Sequence, residues 1–70
     1  MEVHVELHGR ERRDFDIQIF PGMTVLEIMK KISVNPEGVV TFRGDVPVPV
    51  DQEVNDGDEF VFIEAASGGV

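Results

Sequence analysis

One short segment of the chain has the apolar periodicity of a helix, and the segments on either side of it alternate as strands do. Thr24, followed three residues later by Glu27, forms the capping pattern that begins a helix. The pattern predicts a helix that ends near Ser33, before Pro36. The apolar residues of this helix recur at the spacing of one face: Val25, Ile28, Met29 and Ile32, widened by Leu26. Because one stripe covers one face of one sheet, the chain is restricted to a two-layer α+β arrangement.

Period-two alternation predicts strands at residues 3–7 and 14–19, which form an N-terminal hairpin. Two short apolar runs, residues 39–42 and 60–63, predict two later strands. Residues 46–50 are extended, but their two prolines cannot donate ladder hydrogen bonds, so this segment is an edge strand or a loop. We expect the last strand to lie beside the first, within a mixed sheet of about four strands covered by the helix.

The core should combine the inward side chains of these strands with the helix stripe. In a chain of 70 residues this is one domain, which buries only about 60% of the surface exposed by the unfolded chain. The predicted core consists of Val3, Val5, Leu7, Phe15, Ile17, Ile19, Leu26, Met29, Phe42, Phe60 and Phe62.

The last strand is apolar in both of its alternating sets, which is unusual for a sheet with one covering helix. If Phe60 and Phe62 pack under the helix, Val61 and Ile63 face outward from the sheet. By the same alternation Val39 joins them. The alternative is a strand that is buried on both faces, but a single helix cannot provide the second cover. We therefore predict an exposed, partner-binding apolar patch of Val61, Ile63 and Val39.

The distribution of charge indicates the kind of partner. Fourteen acidic residues stand against six Lys and Arg, and no cation follows Arg43. This argues against nucleic-acid binding, which relies on clustered basic residues, and favours a basic partner surface near the C-terminal half. The alternative is that the acidity only keeps a small protein soluble. With no long apolar run and no signal-peptide pattern, we expect a cytoplasmic protein without membrane contact, monomeric when free.

No residue pattern predicts an enzyme, a metal site or a cofactor site. The chain has no Cys, which excludes disulfides and thiolate chemistry. His4 and His8 share a strand face, but four strand residues span roughly 13 Å, too far for one metal ion. Residues 55–59 are rich in oxygen ligands but lack calcium-loop spacing, so they predict a turn. No catalytic residue is predicted.

The chain closes with Gly68 and Gly69, followed by Val70. We divide it into a domain of residues 1–64 and a flexible tail of residues 65–70. Glycine lacks a Cβ, so a Gly-Gly tail can pass through a narrow channel of another protein, where a side chain would collide. The alternative is an ordinary frayed end.

Together these segments resemble a ubiquitin-like β-grasp protein, and within that fold the small sulfur-carrier proteins of molybdopterin and thiamin biosynthesis (the MoaD/ThiS family). The resemblance rests on residues 40–47, residues 54–60 and the Gly68-Gly69 pair, although their order and spacing cover nearly the whole chain. It implies that an ATP-dependent adenylating enzyme of the ubiquitin-activating type converts the terminal glycine to an acyl-adenylate. Sulfide would then yield a thiocarboxylate, which a sulfur-accepting biosynthetic enzyme consumes.

Val70 departs from the family pattern, because that chemistry works on a terminal glycine. We rank trimming first: a protease removes Val70 and exposes Gly69 as the modified terminus, preceded by Gly68. The alternatives are an activating partner that tolerates valine, or a β-grasp adaptor that never uses its tail. A further alternative is a ubiquitin-like modifier, conjugated through the same glycine to lysines of other proteins. The sequence alone does not separate modifier from carrier.

Overall fold

The computed structural model describes residues 1–65, which form a mixed five-stranded sheet with an α-helix on one face. The strands are β1 (Glu2–His8), β2 (Arg12–Gln18), β3 (Val39–Arg43), β4 (Val46–Pro47) and β5 (Glu59–Glu64). The helix α1 spans Val25–Lys31, and a 3₁₀ turn at Pro36–Gly38 precedes β3.

The strand order is β2-β1-β5-β3-β4, so the last strand lies in the middle of the sheet. β5 runs parallel to β1, and the β1–β2, β3–β5 and β3–β4 pairs are antiparallel. The predicted α+β arrangement and the predicted place of the last strand beside the first are confirmed.

The sheet has five strands because part of the proline-containing segment pairs. Pro47 lies opposite Phe42, and Val46 lies opposite Arg43, at the far edge of the sheet. An edge strand needs hydrogen bonds on one side only, so a proline is tolerated there. Of the two expectations for residues 46–50, the edge strand holds for Val46–Pro47 and the loop for residues 48–50.

The helix begins at the predicted cap. The Thr24 hydroxyl accepts a hydrogen bond from the Glu27 amide at 3.4 Å, and the Glu27 carboxylate accepts one from the Thr24 amide at 3.0 Å. These two bonds satisfy backbone donors that the first helical turn leaves free. The helix ends at Lys31, two residues earlier than predicted, and Ser33 takes a left-handed conformation with φ 61°.

The core lies between the helix and the face of the sheet that the helix covers. Val3, Val5, Leu7, Ile17, Ile19, Met29, Phe60 and Phe62 are buried as predicted. The remaining buried apolar residues are Met23, Val25, Ile28 and Val54. The Val54 amide donates to the Met23 carbonyl at 2.9 Å, so the irregular segment 48–58 closes the core near the start of the helix.

Three predicted core residues are only half-buried. Phe15 packs against the edge of the core, and Leu26 lies at the side of the helix stripe. Phe42 is on the wrong face, and its placement in the core is a correction. In the β3–β5 ladder Thr41 lies opposite the buried Phe62, and this register turns the neighbouring Phe42 to the uncovered face. In residues 39–42 each of the two alternating sets contains a valine, so the sequence pattern alone does not determine which set faces the helix.

None of the helices between residues 1 and 65 has the length and apolar character needed to cross a membrane.

Candidate functional site

The face of the sheet that the helix leaves uncovered has an apolar half, formed by β3 and β5. Phe42 lies opposite Val61, and Val40 lies opposite Ile63. We call these four side chains the apolar patch. Val40 is 50% exposed and Ile63 40% exposed, whereas Val61 and Phe42 are half-buried between their neighbours. Exposed large aliphatic side chains in contact with one another, with no helix above them, are typical of a docking surface.

A shallow groove runs along one end of this patch. Its volume is about 260 Å³, and its lining consists of Phe42, Gly44, Asp45, Val61 and Ile63. Gly44 has φ 62°, a conformation that favours glycine, and it forms the tight β3–β4 turn beside the groove. Asp45 contributes a carboxylate at the rim, so the groove pairs an apolar floor with a negative edge.

The prediction that Val39 lies on the outer face of the sheet is wrong. Val39 lies opposite Glu64 and packs against the core, because it has the same phase as the buried Thr41. Val40 takes its place in the apolar patch. The sequence contains this information only through the β3–β5 register, since Val39 and Val40 are the same residue type. Val61 and Ile63 do lie on the outer face, as predicted; their partner-binding role stays a prediction.

The other half of the uncovered face, formed by β1 and β2, is polar. The His4 Nδ1 donates to the Asp16 carboxylate at 2.8 Å, across the strand pair. Glu6 accepts from His8 at 3.0 Å and from Arg12 at 2.7 Å. The bond to Asp16 raises the pKa of His4, and the bond from His8, aided by Arg12, lowers the pKa of Glu6. The face is thus divided sharply into an apolar and a charged half.

The acidic segment before β5 is a structural turn. Gly57 has φ 85°, and the Asp58 amide donates to the Asn55 carbonyl at 3.0 Å. Asp56 accepts from the Glu2 amide at 2.8 Å, while Asp58 accepts from the Asn55 amide at 2.8 Å. The predicted turn is confirmed: the Asp56 carboxylate joins the segment to β1, and the Asp58 carboxylate closes the turn itself.

Arg43 connects this turn to the core. Its guanidinium donates to Asp58 at 3.1 Å and to the Glu53 carbonyl at 3.0 Å, and it lies 5.5 Å from the centre of the Phe60 ring. A planar guanidinium can stack on an aromatic ring while it donates in its own plane. Arg43, the last cation of the sequence, is therefore a structural residue that fixes the start of β5.

The described chain stops where the tail leaves the sheet. The Ala65 amide donates to the Gly38 carbonyl at 2.8 Å, one residue beyond the end of β5. Gly68, Gly69 and Val70 lie outside the described residues, so the predicted modified terminus has no structural description. Ala65 is two residues from Ile63, which puts the apolar patch next to the start of the tail.

Comparison with known proteins now decides the family. Residues 1–61 match the sequence family described as small archaeal modifier protein 2. The chain belongs to the small archaeal modifier protein 2 family. A relative from Archaeoglobus fulgidus, described as an uncharacterized protein, is 30% identical over 69 residues, which are 99% of this chain and 100% of the relative.

Two solved structures show the same fold as this member of the small archaeal modifier protein 2 family. The structure titled "Caldiarchaeum Subterraneum Ubiquitin" has a TM-score of 0.76 at 19% identity, covering 99% of this chain and 98% of that one. A second, titled a ubiquitin-like protein from the hyperthermophilic archaea Caldiarchaeum subterraneum, has a TM-score of 0.65 at 17% identity, covering 94% and 97%. The fold is therefore ubiquitin-like β-grasp, as predicted, and family and fold together indicate a ubiquitin-like modifier or carrier.

Proposed function

We propose that this protein is a covalent modifier that another enzyme activates at Gly69 and transfers to lysine side chains of target proteins. The observation that carries the proposal is the position of the apolar patch, which ends at Ile63, directly before the segment that leads to Gly68 and Gly69. A partner that holds this patch has the tail within reach. Membership of a modifier family supports the same function.

The chemistry needs no catalytic side chain from the protein itself. The Gly69 carboxylate attacks the α-phosphorus of ATP, pyrophosphate leaves, and an acyl-adenylate forms on the activating enzyme. A lysine amine then attacks the acyl carbon, AMP leaves with the bonding electron pair, and the nitrogen loses a proton. The product is an isopeptide bond. The protein's contribution is to present the carboxylate and to bind the enzyme, so we propose that it is not an enzyme.

Removal of Val70 comes before activation in this proposal. Valine places two methyl groups next to the carbon under attack, whereas glycine places none. A trimming protease that cleaves after Gly69 would therefore convert an inactive form into a substrate. The adaptor alternative predicts instead that Val70 is retained in cells.

The apolar patch is the proposed contact with the ubiquitin-activating-type enzyme. Apolar side chains at the centre of an interface and charged side chains at its rim are the usual arrangement in protein complexes. Here Asp45 lies at the groove rim, and the residues after Arg43 add only negative charge. We infer that the enzyme meets this patch with an apolar centre and a basic rim, and that the encounter takes place in the cytoplasm.

Sulfur transfer is the second candidate function. It is favoured by the likeness of residues 40–47 and 54–60 to the sulfur-carrier family. Without a thiol, any sulfur on this protein would be carried on the terminal carbonyl. The same adenylate would then react with a sulfide donor instead of an amine, releasing AMP and leaving a thiocarboxylate for a biosynthetic enzyme.

Protein isolated from its native host separates these functions. A modifier gives isopeptide-linked bands on a blot and peptides in which a target lysine carries the C-terminal residues of this chain, ending at Gly69. A carrier gives an unconjugated protein whose intact mass reports sulfur in place of a terminal oxygen. A single unconjugated species that retains Val70 and contains no sulfur would contradict both functions and favour the adaptor.

A further inference from the structure

The polar half of the uncovered face has a group of side chains that the proposed function does not use. His4 and Glu6 are two residues apart on β1, so they point from the same side of the sheet. Asp16 lies opposite His4 on β2, and Asp14 lies opposite Glu6. One potential ligand atom each from His4, Glu6 and Asp14 lies within 4.8 Å of the other two.

We propose that His4, Glu6 and Asp14 form a binding site for a divalent transition metal ion of the zinc type. The chemistry of the ligands favours this class of ion. One imidazole nitrogen and two carboxylate oxygens make a set that zinc accepts, with water in the fourth position, whereas magnesium and calcium prefer oxygen alone.

The hydrogen bonds leave one free ligand atom on each of the three side chains. His4 uses Nδ1 toward Asp16, so Nε2 is available. Both donors to Glu6, His8 and Arg12, contact the same oxygen, Oε1, which leaves Oε2 available. Within residues 1–65 the Asp14 carboxylate has no hydrogen-bond or ion-pair partner. His4 and Glu6 are each held by one atom and open at another, and within the described part of the chain both carboxylate oxygens of Asp14 are open.

These outer contacts are of the kind that orient metal ligands. A metal-binding histidine usually donates its second ring N–H to a carboxylate, which fixes the tautomer and the ring plane. The 2.8 Å bond from His4 Nδ1 to Asp16 is such a contact, since a carboxylate can only accept. Ligating carboxylates are themselves hydrogen-bonded in such sites, as Glu6 is here.

The strand register gives an electrostatic reason for a cation to bind at this cluster. Glu6 and Asp14 are like charges directly opposite each other, an arrangement that destabilises a strand pair. Arg12 offsets part of this charge through Glu6, but Asp16 adds a further negative charge nearby. A bound cation would remove the repulsion and join β1 to β2.

The required movement is small. A tetrahedral zinc ion with ligands at about 2.0–2.2 Å holds its ligand atoms roughly 3.3–3.6 Å apart. One potential ligand atom from each side chain already lies within 4.8 Å of the other two, so side-chain rotation can bring the ligands to that spacing. This site differs from a His4–His8 pair, which the strand geometry excludes.

Zinc titration of the untagged full chain by calorimetry tests the site. We expect saturable binding of one zinc ion, little binding of MgCl₂, and a higher melting temperature with ZnCl₂. His4→Gln and Asp14→Asn should each weaken zinc binding by at least about tenfold, and Asp16→Asn by about tenfold through His4. Asp51→Asn removes the same charge from an exposed turn outside the cluster and should leave binding unchanged. All four positions are at least partly exposed, and circular dichroism will show whether each variant stays folded.

Two results would overturn the proposal. One is unchanged zinc affinity in folded His4→Gln or Asp14→Asn. The other is an equal loss in Asp51→Asn, which would mean diffuse attraction to an acidic protein. Nitrogen NMR of the histidine rings provides a second measurement, because zinc should shift His4 far more than His8. The titration uses the protein alone, so its outcome is independent of whether Gly69 is conjugated.

Discussion

Phe42 and Val61 lie side by side across the β3–β5 ladder, on the face of the sheet that the helix does not cover. The neighbouring pair, Thr41 and Phe62, is buried on the opposite face. One step along the ladder therefore separates the hydrophobic core from the proposed docking surface. This relationship makes it possible to change one face without changing the other.

Charge placed on the apolar patch should weaken docking to the activating enzyme without unfolding the protein. We expect Ile63→Asp and Val61→Asp each to reduce affinity at least about tenfold, because they place a carboxylate in the apolar centre of the interface. Val46→Asp is the matched control, since Val46 is an exposed valine outside the patch. Calorimetry with the enzyme measures the effect. Wild-type affinity in folded Ile63→Asp and Val61→Asp would remove the patch from the interface.

Truncation of Phe62 should cost far more stability than truncation of Phe42. Phe62 is fully buried, so Phe62→Ala should cost about 3–5 kcal/mol. That is a large share of the roughly 5–15 kcal/mol that holds a small domain together. Phe42→Ala should cost much less, because its ring is half-exposed on the outer face. Urea unfolding measures both, and equal losses would show that the strand phase is wrong.

Thr41 offers a stabilising substitution. Its side chain is 4% exposed in the core face, and its hydroxyl makes no hydrogen bond with any described residue. Thr41→Val replaces an unpartnered buried hydroxyl with a methyl group of similar size and should stabilise the fold by about 1 kcal/mol. Thr41→Ser keeps the hydroxyl, loses the methyl and should destabilise. A loss of stability in Thr41→Val would indicate that the hydroxyl has a bonding partner.

The helix cap should contribute measurably to the stability of the protein, because the helix is short. Thr24→Ala removes the acceptor for the Glu27 amide and should cost on the order of 1 kcal/mol. Thr24→Ser retains the hydroxyl and serves as the control, with a smaller loss. Thermal unfolding compares the variants. If Thr24→Ala and Thr24→Ser have the same melting temperature, the cap hydrogen bond makes no net contribution to stability.

The sequence predicted most of the fold because its local signals agree. The Thr24–Glu27 cap, the single helix stripe and the alternation in residues 3–7 each allow one interpretation, and together they require one sheet under one helix. The phase of β3 could not be predicted in the same way. Val39 and Val40 are identical, and Phe42 is more apolar than Thr41, so alternation alone selects the wrong face.

The polar cluster was beyond the reach of sequence spacing for a different reason. His4 and Glu6 are close in sequence, but Asp14 joins them only through the hairpin register. Residue spacing along one strand pairs His4 only with His8, and it does not show that Asp14 lies opposite Glu6 on the next strand. The apolar patch was partly predictable, since Val61 and Ile63 belong to the one strand that is apolar in both phases.

The most direct test of the account is ATP–pyrophosphate exchange by the cognate activating enzyme on three forms of the protein, ending at Gly69, at Val70 and at Ser67. We predict rapid exchange with the form that ends at Gly69, much slower exchange with the Val70 form, and none with the Ser67 form, because only a terminal glycine presents its carboxylate without a side chain that would collide in a narrow channel. Equal exchange with the Gly69 and Val70 forms would contradict the trimming step. Exchange with none of the three, by an enzyme shown to be active, would contradict the modifier and carrier functions together.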